Sequence, residues 1–114
     1  MSHKLLIANR GEIALRILRS ASALSLPTLS IFTEADASAK HVTLATESVS
    51  VPSYIDQEAL LAVCAAHGVT MLHPGYGFLS ENHSFADKVE AAGIIFLGPR
   101  PAQILSMVRS MLLG

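Results

Sequence analysis

Residues 4–32 read KLLIANRGEIALRILRSASALSLPTLSIF, and this stretch decides the fold. The aliphatic run at 4–8 is short and continuous, and it stops at Asn9-Arg10-Gly11. A run of that kind reads as a strand covered on both faces. Over 12–24 the period changes: Ile13, Ile17 and Leu24, with Ala14, Leu18 and Ala21, recur at helical spacing. Arg16 and Arg19 fall on another side of that helix. Pro27 closes the connection, and the apolar, partly β-branched residues 28–32 predict a second strand. Strand, helix and strand within about 30 residues form a β-α-β unit, the seed of a parallel sheet.

Outward from this unit the alternation continues. Residues 33–40 are polar, carry Glu34 and Asp36, and read as a loop; 41–46 reads as a short helix and 48–51 as an edge strand stopped by Pro52. Asp56 is a plausible N-cap for a helix to His67, with Gly68 at its end. A strand at 69–72, a Gly- and Pro-containing loop at 73–82, a helix at 84–92 ending at Gly93 and a strand at 94–97 follow. Gly98-Pro99 breaks that strand, and Pro101 suits the start of a final helix. The expected class is α/β: an open, mainly parallel sheet with helices on both faces.

Composition supports one domain with an aliphatic core. The chain has 114 residues, 51% hydrophobic, 15% charged and 5% aromatic, with no Trp. The net charge of −1 offers no basic surface for nucleic acid. The single cysteine, Cys64, sits in the apolar run 60–66, which predicts a buried, inert thiol and excludes an intrachain disulfide. No stretch approaches the ~18 apolar residues of a membrane span, and no signal peptide precedes the first strand, so a cytoplasmic chain is expected.

Two segments could carry chemistry. The turn after the first strand, residues 7–14, opens a helix, where backbone N–H groups bind anions. It lacks the G-x-G-x-x-G of a dinucleotide site, and Glu12 would repel a phosphate, so spacing favours a structural turn. The loop at 73–82, His73-Pro74-Gly75-Tyr76-Gly77-Phe78-Leu79-Ser80-Glu81-Asn82, follows a strand at the carboxyl edge of the sheet, where such folds place ligands. Tyr76 and Phe78 offer flat surfaces; His73, Ser80, Glu81 and Asn82 offer hydrogen-bonding groups. A binding loop and a tightly folded structural loop are both open readings. His73 and Glu81 could pair as acid and base. Arg16 and Arg19, three apart, share a helix face that is either solvated or a subunit interface. Lys40, His41 and His67 read as surface residues, and no metal ligands are expected. Met107 and Met111, four apart, suggest core or loosely packed surface.

At these residues the chain resembles a family. Ile7-Ala8-Asn9-Arg10-Gly11-Glu12-Ile13-Ala14 with Arg16, and the loop from His73 to Asn82, are similar to the two signature segments of the biotin carboxylase N-terminal domain. Asn9, Arg10, Gly11, Glu12, His73, Pro74, Gly75, Glu81 and Asn82 form the structural signature. Lys40-His41 with Ala45, Ser53-Tyr54 and Gly98-Pro99 also fall in order, so the likeness covers about residues 4–107. The family includes the biotin carboxylase units of acetyl-CoA, propionyl-CoA, methylcrotonyl-CoA, pyruvate and urea carboxylases. The resemblance implies a Rossmann-like pre-ATP-grasp domain over 1–107 and a divergent tail over 108–114. It implies an enzyme, a ligase that uses ATP, Mg²⁺ and bicarbonate to carboxylate biotin through carboxyphosphate. It places Tyr76-Gly77 beside the biotin ring and Arg16 and Arg19 at a homodimer interface. The implied partners are an ATP-grasp domain, which carries the ATP and Mg²⁺ ligands, and a biotin carboxyl carrier domain.

Two departures stand out. The segment Val49-Ser50-Val51-Pro52 runs into Ser53-Tyr54 with fewer residues than the family has. Ser110, in Met107-Val108-Arg109-Ser110, stands where the family has a lysine that approaches ATP. The expectation is a carboxylase segment that ends before the catalytic regions and is inactive alone. A non-catalytic short form that dimerises or regulates through the Arg16/Arg19 helix is the alternative, and an unrelated nucleotide binder the third.

Overall fold

The computed structural model describes residues 3–77, 79–98 and 102–113, without the side chains of 102, 103 and 111–113. Among the described residues eleven short elements follow the expected order. The strands are β1 (Leu5–Ile7), β2 (Thr28–Phe32), β3 (Glu47–Ser50), β4 (Met71–His73) and β5 (Ile95–Phe96). The helices are α1 (Gly11–Ala23), α2 (Lys40–Thr43), α3 (Gln57–His67), α4 (His83–Ala91) and α5 (Ala102–Leu113). A single 3₁₀ turn, Glu34–Asp36, interrupts the loop expected at 33–40. The five strands form one all-parallel sheet in the order β3-β2-β1-β4-β5, so the strand nearest the N-terminus is the central one.

Alternation along the central strand divides the core. Leu6 and Ala8 join Leu29, Ile31 and Leu72 on one face, covered by Leu60, Val63 and Cys64 of α3 and Phe85 and Val89 of α4. Leu5 and Ile7 join Met71 on the other, covered by Ala14, Ile17, Leu18 and Ala21 of α1 and Ile104 of α5. Because side chains point to opposite faces with period 2, a strand buried on both sides must be apolar throughout, as β1 is. Phe85, fully buried, meets Phe96 edge to face at 6.1 Å. Burying each large side chain contributes roughly 1.5–3 kcal/mol.

Helix ends follow local chemistry. The Asp56 side chain accepts the Ala59 N–H at 3.0 Å at the start of α3. Gly68 closes that helix in the left-handed conformation (φ 66°), which a side chain would resist. Asn82 caps α4 by accepting the Phe85 N–H at 2.9 Å, so the helix starts at His83, one residue before the expected start. β5 is shorter than expected: Ile95 and Phe96 pair with Met71 and Leu72, and the last ladder bond runs from the Leu97 N–H to the Leu72 carbonyl at 2.9 Å. Pro99 and Pro101, the expected strand breaker and helix starter, and the Met111 side chain lie outside the described residues. Met107 packs against the α1 side of the core, and α5 runs unbroken across residues 107 and 108.

Candidate functional site

The sheet order creates a switch point. The chain winds from β1 through β2 to β3 toward one edge, then crosses back to place β4 on the other side of β1. The connections leaving β1 and β4 therefore part, and a crevice opens outside their carboxyl ends, where open α/β sheets bind ligands. A cleft of about 480 Å³ lies there, lined by Asn9, Arg10, Gly11, Glu12 and Ile13 after β1 and by Tyr76 and Gly77 after β4. This size is within the ordinary range of small-molecule sites. Both sequence segments singled out for chemistry thus meet in one place.

The inner half of the β4 loop is structural. His73 and Asn9 are buried, at 0% and 1% exposure. The His73 carbonyl accepts the Ala8 N–H at 2.9 Å, and its Nδ1 accepts the Gly75 N–H at 3.0 Å. An accepting Nδ1 puts the proton of the neutral ring on Nε2. Asn9 Nδ2 donates to the carbonyls of Pro74 at 2.9 Å and Tyr76 at 2.8 Å, and its Oδ1 accepts the Arg10 N–H at 2.8 Å. Two facing carbonyls require the amide nitrogen there, which fixes the orientation of the side chain. The outer half is different: Tyr76 is 48% exposed and Gly77 is exposed. Glu81 is exposed and Asn82 is spent on capping α4, so the loop is structural inside and open to a ligand outside. A fully buried His73 engaged by Gly75 belongs to the turn rather than to an acid–base pair with Glu81. Phe78 lies outside the described residues.

Beside this cleft is an ionic cluster that the sequence did not reveal. Arg10 grips Asp36 with two bonds, Nε to Oδ2 at 2.6 Å and Nη2 to Oδ1 at 2.8 Å. The Tyr54 hydroxyl donates to the same Asp36 Oδ2 at 2.6 Å and lies 3.4 Å from His41 Nε2. The Arg10 guanidinium also sits over the Tyr54 ring, 5.9 Å from its centre. The guanidinium and the Tyr54 hydroxyl hold the Asp36 carboxyl well below the usual carboxylate range, and Asp36 raises the Arg10 pKa in return. Burial and then the bond to Asp36 push the Tyr54 phenol up to about 12. A second, open cleft of about 420 Å³ lies over this cluster, between the ends of β2 and β3.

His41 corrects the expectation of a surface histidine: it is 1% exposed. Its Nε2 stands 3.2 Å from the Ile31 carbonyl and so carries the proton, while Nδ1 meets no partner among the described residues. Burial holds its pKa below the ordinary value. His67 is also half-buried, its carbonyl accepting Lys4 Nζ at 2.8 Å. Lys40 is exposed, as expected. Cys64 is 2% exposed, and burial pushes its thiol up to about 11, the inert state that the sequence predicts.

The remaining sequence candidates are not among the residues that line the cleft. Arg16 and Arg19 both project from the outer face of α1, and Arg19 Nη1 makes a loose surface pair with Glu12 Oε1 at 3.6 Å. Among the described residues no three His, Cys, Asp or Glu side chains are grouped to hold a metal ion, and no helix is long and apolar enough to cross a membrane.

Comparison with known proteins points one way. A sequence model of the biotin carboxylase N-terminal domain matches residues 1–104. A biotin carboxylase of Allochromatium vinosum is 49% identical over 94% of this chain, which spans 25% of that protein. The propionyl-CoA carboxylase alpha chain of Ruegeria pomeroyi is 44% identical over 94% of the chain, and 17% of its own length is covered. The solved biotin carboxylase domain of a single-chain bacterial carboxylase superposes with a TM-score of 0.83 at 44% identity, covering 89% of this chain and 25% of that one.

Proposed function

This chain belongs to the biotin carboxylase N-terminal domain family, and from that premise we propose that it serves as the pre-ATP-grasp domain of a biotin-dependent carboxylase. The reaction is the ligation of CO₂ from bicarbonate onto biotin at the expense of ATP. The chain spans about a quarter of the biotin carboxylase relative named above. In this reading the ATP-grasp portion of the complete enzyme holds ATP and Mg²⁺, and biotin arrives on a carrier domain. The domain proper runs over 1–107, with 108–114 as its tail, in a cytoplasmic enzyme.

Within that enzyme Tyr76 and Gly77 form the wall beside the biotin ring. The observation that carries this role is the exposed Tyr76 side chain at the switch-point cleft, on a backbone pinned from below. A flat, half-exposed ring suits a bicyclic ligand with one apolar face. Its backbone is held in place before binding, which lowers the entropic cost of association. The test is Tyr76→Ala in the complete carboxylase. The apparent KM for biotin should rise about tenfold, ~1.4 kcal/mol of binding, with the melting temperature unchanged. A loss of stability with KM intact would leave the loop a purely structural one.

A second role rests on a separate observation. Arg16 and Arg19 stand exposed on the outer face of α1. That face suits a contact between two copies of the enzyme, since Arg is enriched at such surfaces. It would also serve a short, non-catalytic form that dimerises or regulates.

A further inference from the structure

We propose that Asn9 is the positioning residue for Tyr76: its side-chain amide, not the loop's own packing, sets where the tyrosine ring stands in the cleft. The inference rests on the reading of Tyr76 as the biotin-side residue and adds the group that holds it there.

Tyr76 sits between Gly75 and Gly77, both at positive φ (65° and 70°). Neither neighbour has a side chain to anchor the segment, and glycine backbones have the widest conformational freedom. The ring itself is 48% exposed, so packing leaves about half of it open. Within the loop, the Gly75 N–H donates to His73 Nδ1 at 3.0 Å and the Ser80 N–H to the Gly77 carbonyl at 2.9 Å; what ties Tyr76 to the turn after β1 is the carbonyl on each side of Gly75. Asn9 Nδ2 donates to Pro74 O at 2.9 Å and to Tyr76 O at 2.8 Å, bracketing that residue. The amide is itself immobile. It is 1% exposed, it lies two residues past the end of the central strand, and its Oδ1 is held by the Arg10 N–H at 2.8 Å.

The fit is steric as well as polar. A Cβ on Gly75 would lie 2.8 Å from Asn9 Nδ2 and 2.7 Å from Ile13 Cγ2, closer than such atoms approach. The amide therefore occupies the space that the missing side chain leaves. No other side chain type of that size offers two donors and an acceptor from one planar group. Asn9→Asp keeps the shape and the bond to Arg10 but turns an oxygen toward two carbonyl oxygens, so attraction becomes repulsion.

The experiment is a double-mutant cycle in the complete carboxylase, read as kcat and apparent KM for free biotin. Asn9→Asp should raise KM about tenfold while kcat changes by less than about threefold, and in the Tyr76→Ala background it should add less than about twofold. That pattern supports the proposal, because an amide acting through the ring has nothing to act on once the ring is gone. A full tenfold effect in both backgrounds overturns it. A rise for Tyr76→Ala with none for Asn9→Asp overturns the positioning role and leaves the biotin-side reading standing. If Tyr76→Ala itself leaves KM unchanged, that reading falls and the positioning role with it. Should Asn9→Asp fail to fold, Gly75→Ala strikes the same joint from the other side, and an unchanged KM there overturns the proposal.

Discussion

At the scale of residues, the unexpected feature is the chain of contacts from Arg10 through Asp36 and Tyr54 to His41. Each member looked ordinary in sequence. Asp36 sat in a polar loop, and His41 followed a lysine, which suggested solvent. Tyr54 and His41 each come near Asp36 only because β2, the 3₁₀ turn and the segment after β3 end at the same edge. Pairings across 18 or 26 positions leave no periodic trace. Titration makes the arrangement testable. His41 has a lowered pKa in the fold, so the unfolded chain binds more protons between that value and the usual ~6.5. Its contribution is therefore complete above about pH 6.5 and is lost as the pH falls through the depressed value. The melting temperature of the chain should decline from pH 7 to 5, and His41→Gln, which keeps a donor for the Ile31 carbonyl, should flatten that decline. Parallel slopes would remove His41 from the account. Asp36 does not confuse the reading, because its carboxyl titrates below the ordinary ~3.9 and stays charged throughout this window.

At the scale of elements, most of the architecture could be read directly. The helical spacing of Ile13, Ile17 and Leu24 located α1, and Asp56 and Gly68 marked the limits of α3. These signals are local: a cap needs three residues and an amphipathic turn needs four. Termini drifted where the signal depended on a neighbour instead. β3 begins at Glu47, a residue early, since Glu47 pairs with Leu29 and its carboxylate meets Lys4 Nζ at 2.6 Å. The caps give a clean measurement. Asp56→Ala should cost about 1 kcal/mol, lowering the melting temperature by roughly 4–8 °C in a domain of this size. Faster amide exchange confined to the first turn of α3 would identify the cap as the cause.

At the scale of the whole molecule, the sequence showed that a parallel sheet would form but not its order. Strand order depends on which edge the crossover after β3 returns to, and no single segment encodes that. The switch-point cleft follows from the order, so the two signature segments could be named in advance while their meeting could not. The Asn9 bonds to Pro74 and Tyr76, across 65 and 67 positions, express the same fact at one side chain. The outer face of α1 yields a prediction at this scale. Reversing both charges in the complete carboxylase, Arg16→Glu with Arg19→Glu, should shift a dimer toward monomer in sedimentation without changing the fold. An unmoved dimer would return both arginines to solvent.

The central place of β1 also has a consequence in time. It is made before the other four described strands, yet it is flanked on both sides only after β4 exists, as the Lys4 and Thr70 contact 66 positions apart makes plain. Until then Leu5, Leu6 and Ile7 present an unpaired, apolar edge that can template pairing with another chain. Closing so long a loop is slow compared with forming any of the helices. The dangerous interval for this polypeptide therefore falls during its own translation. A nascent chain halted between α3 and β4 carries three of the five described strands and lacks the one that would seal β1.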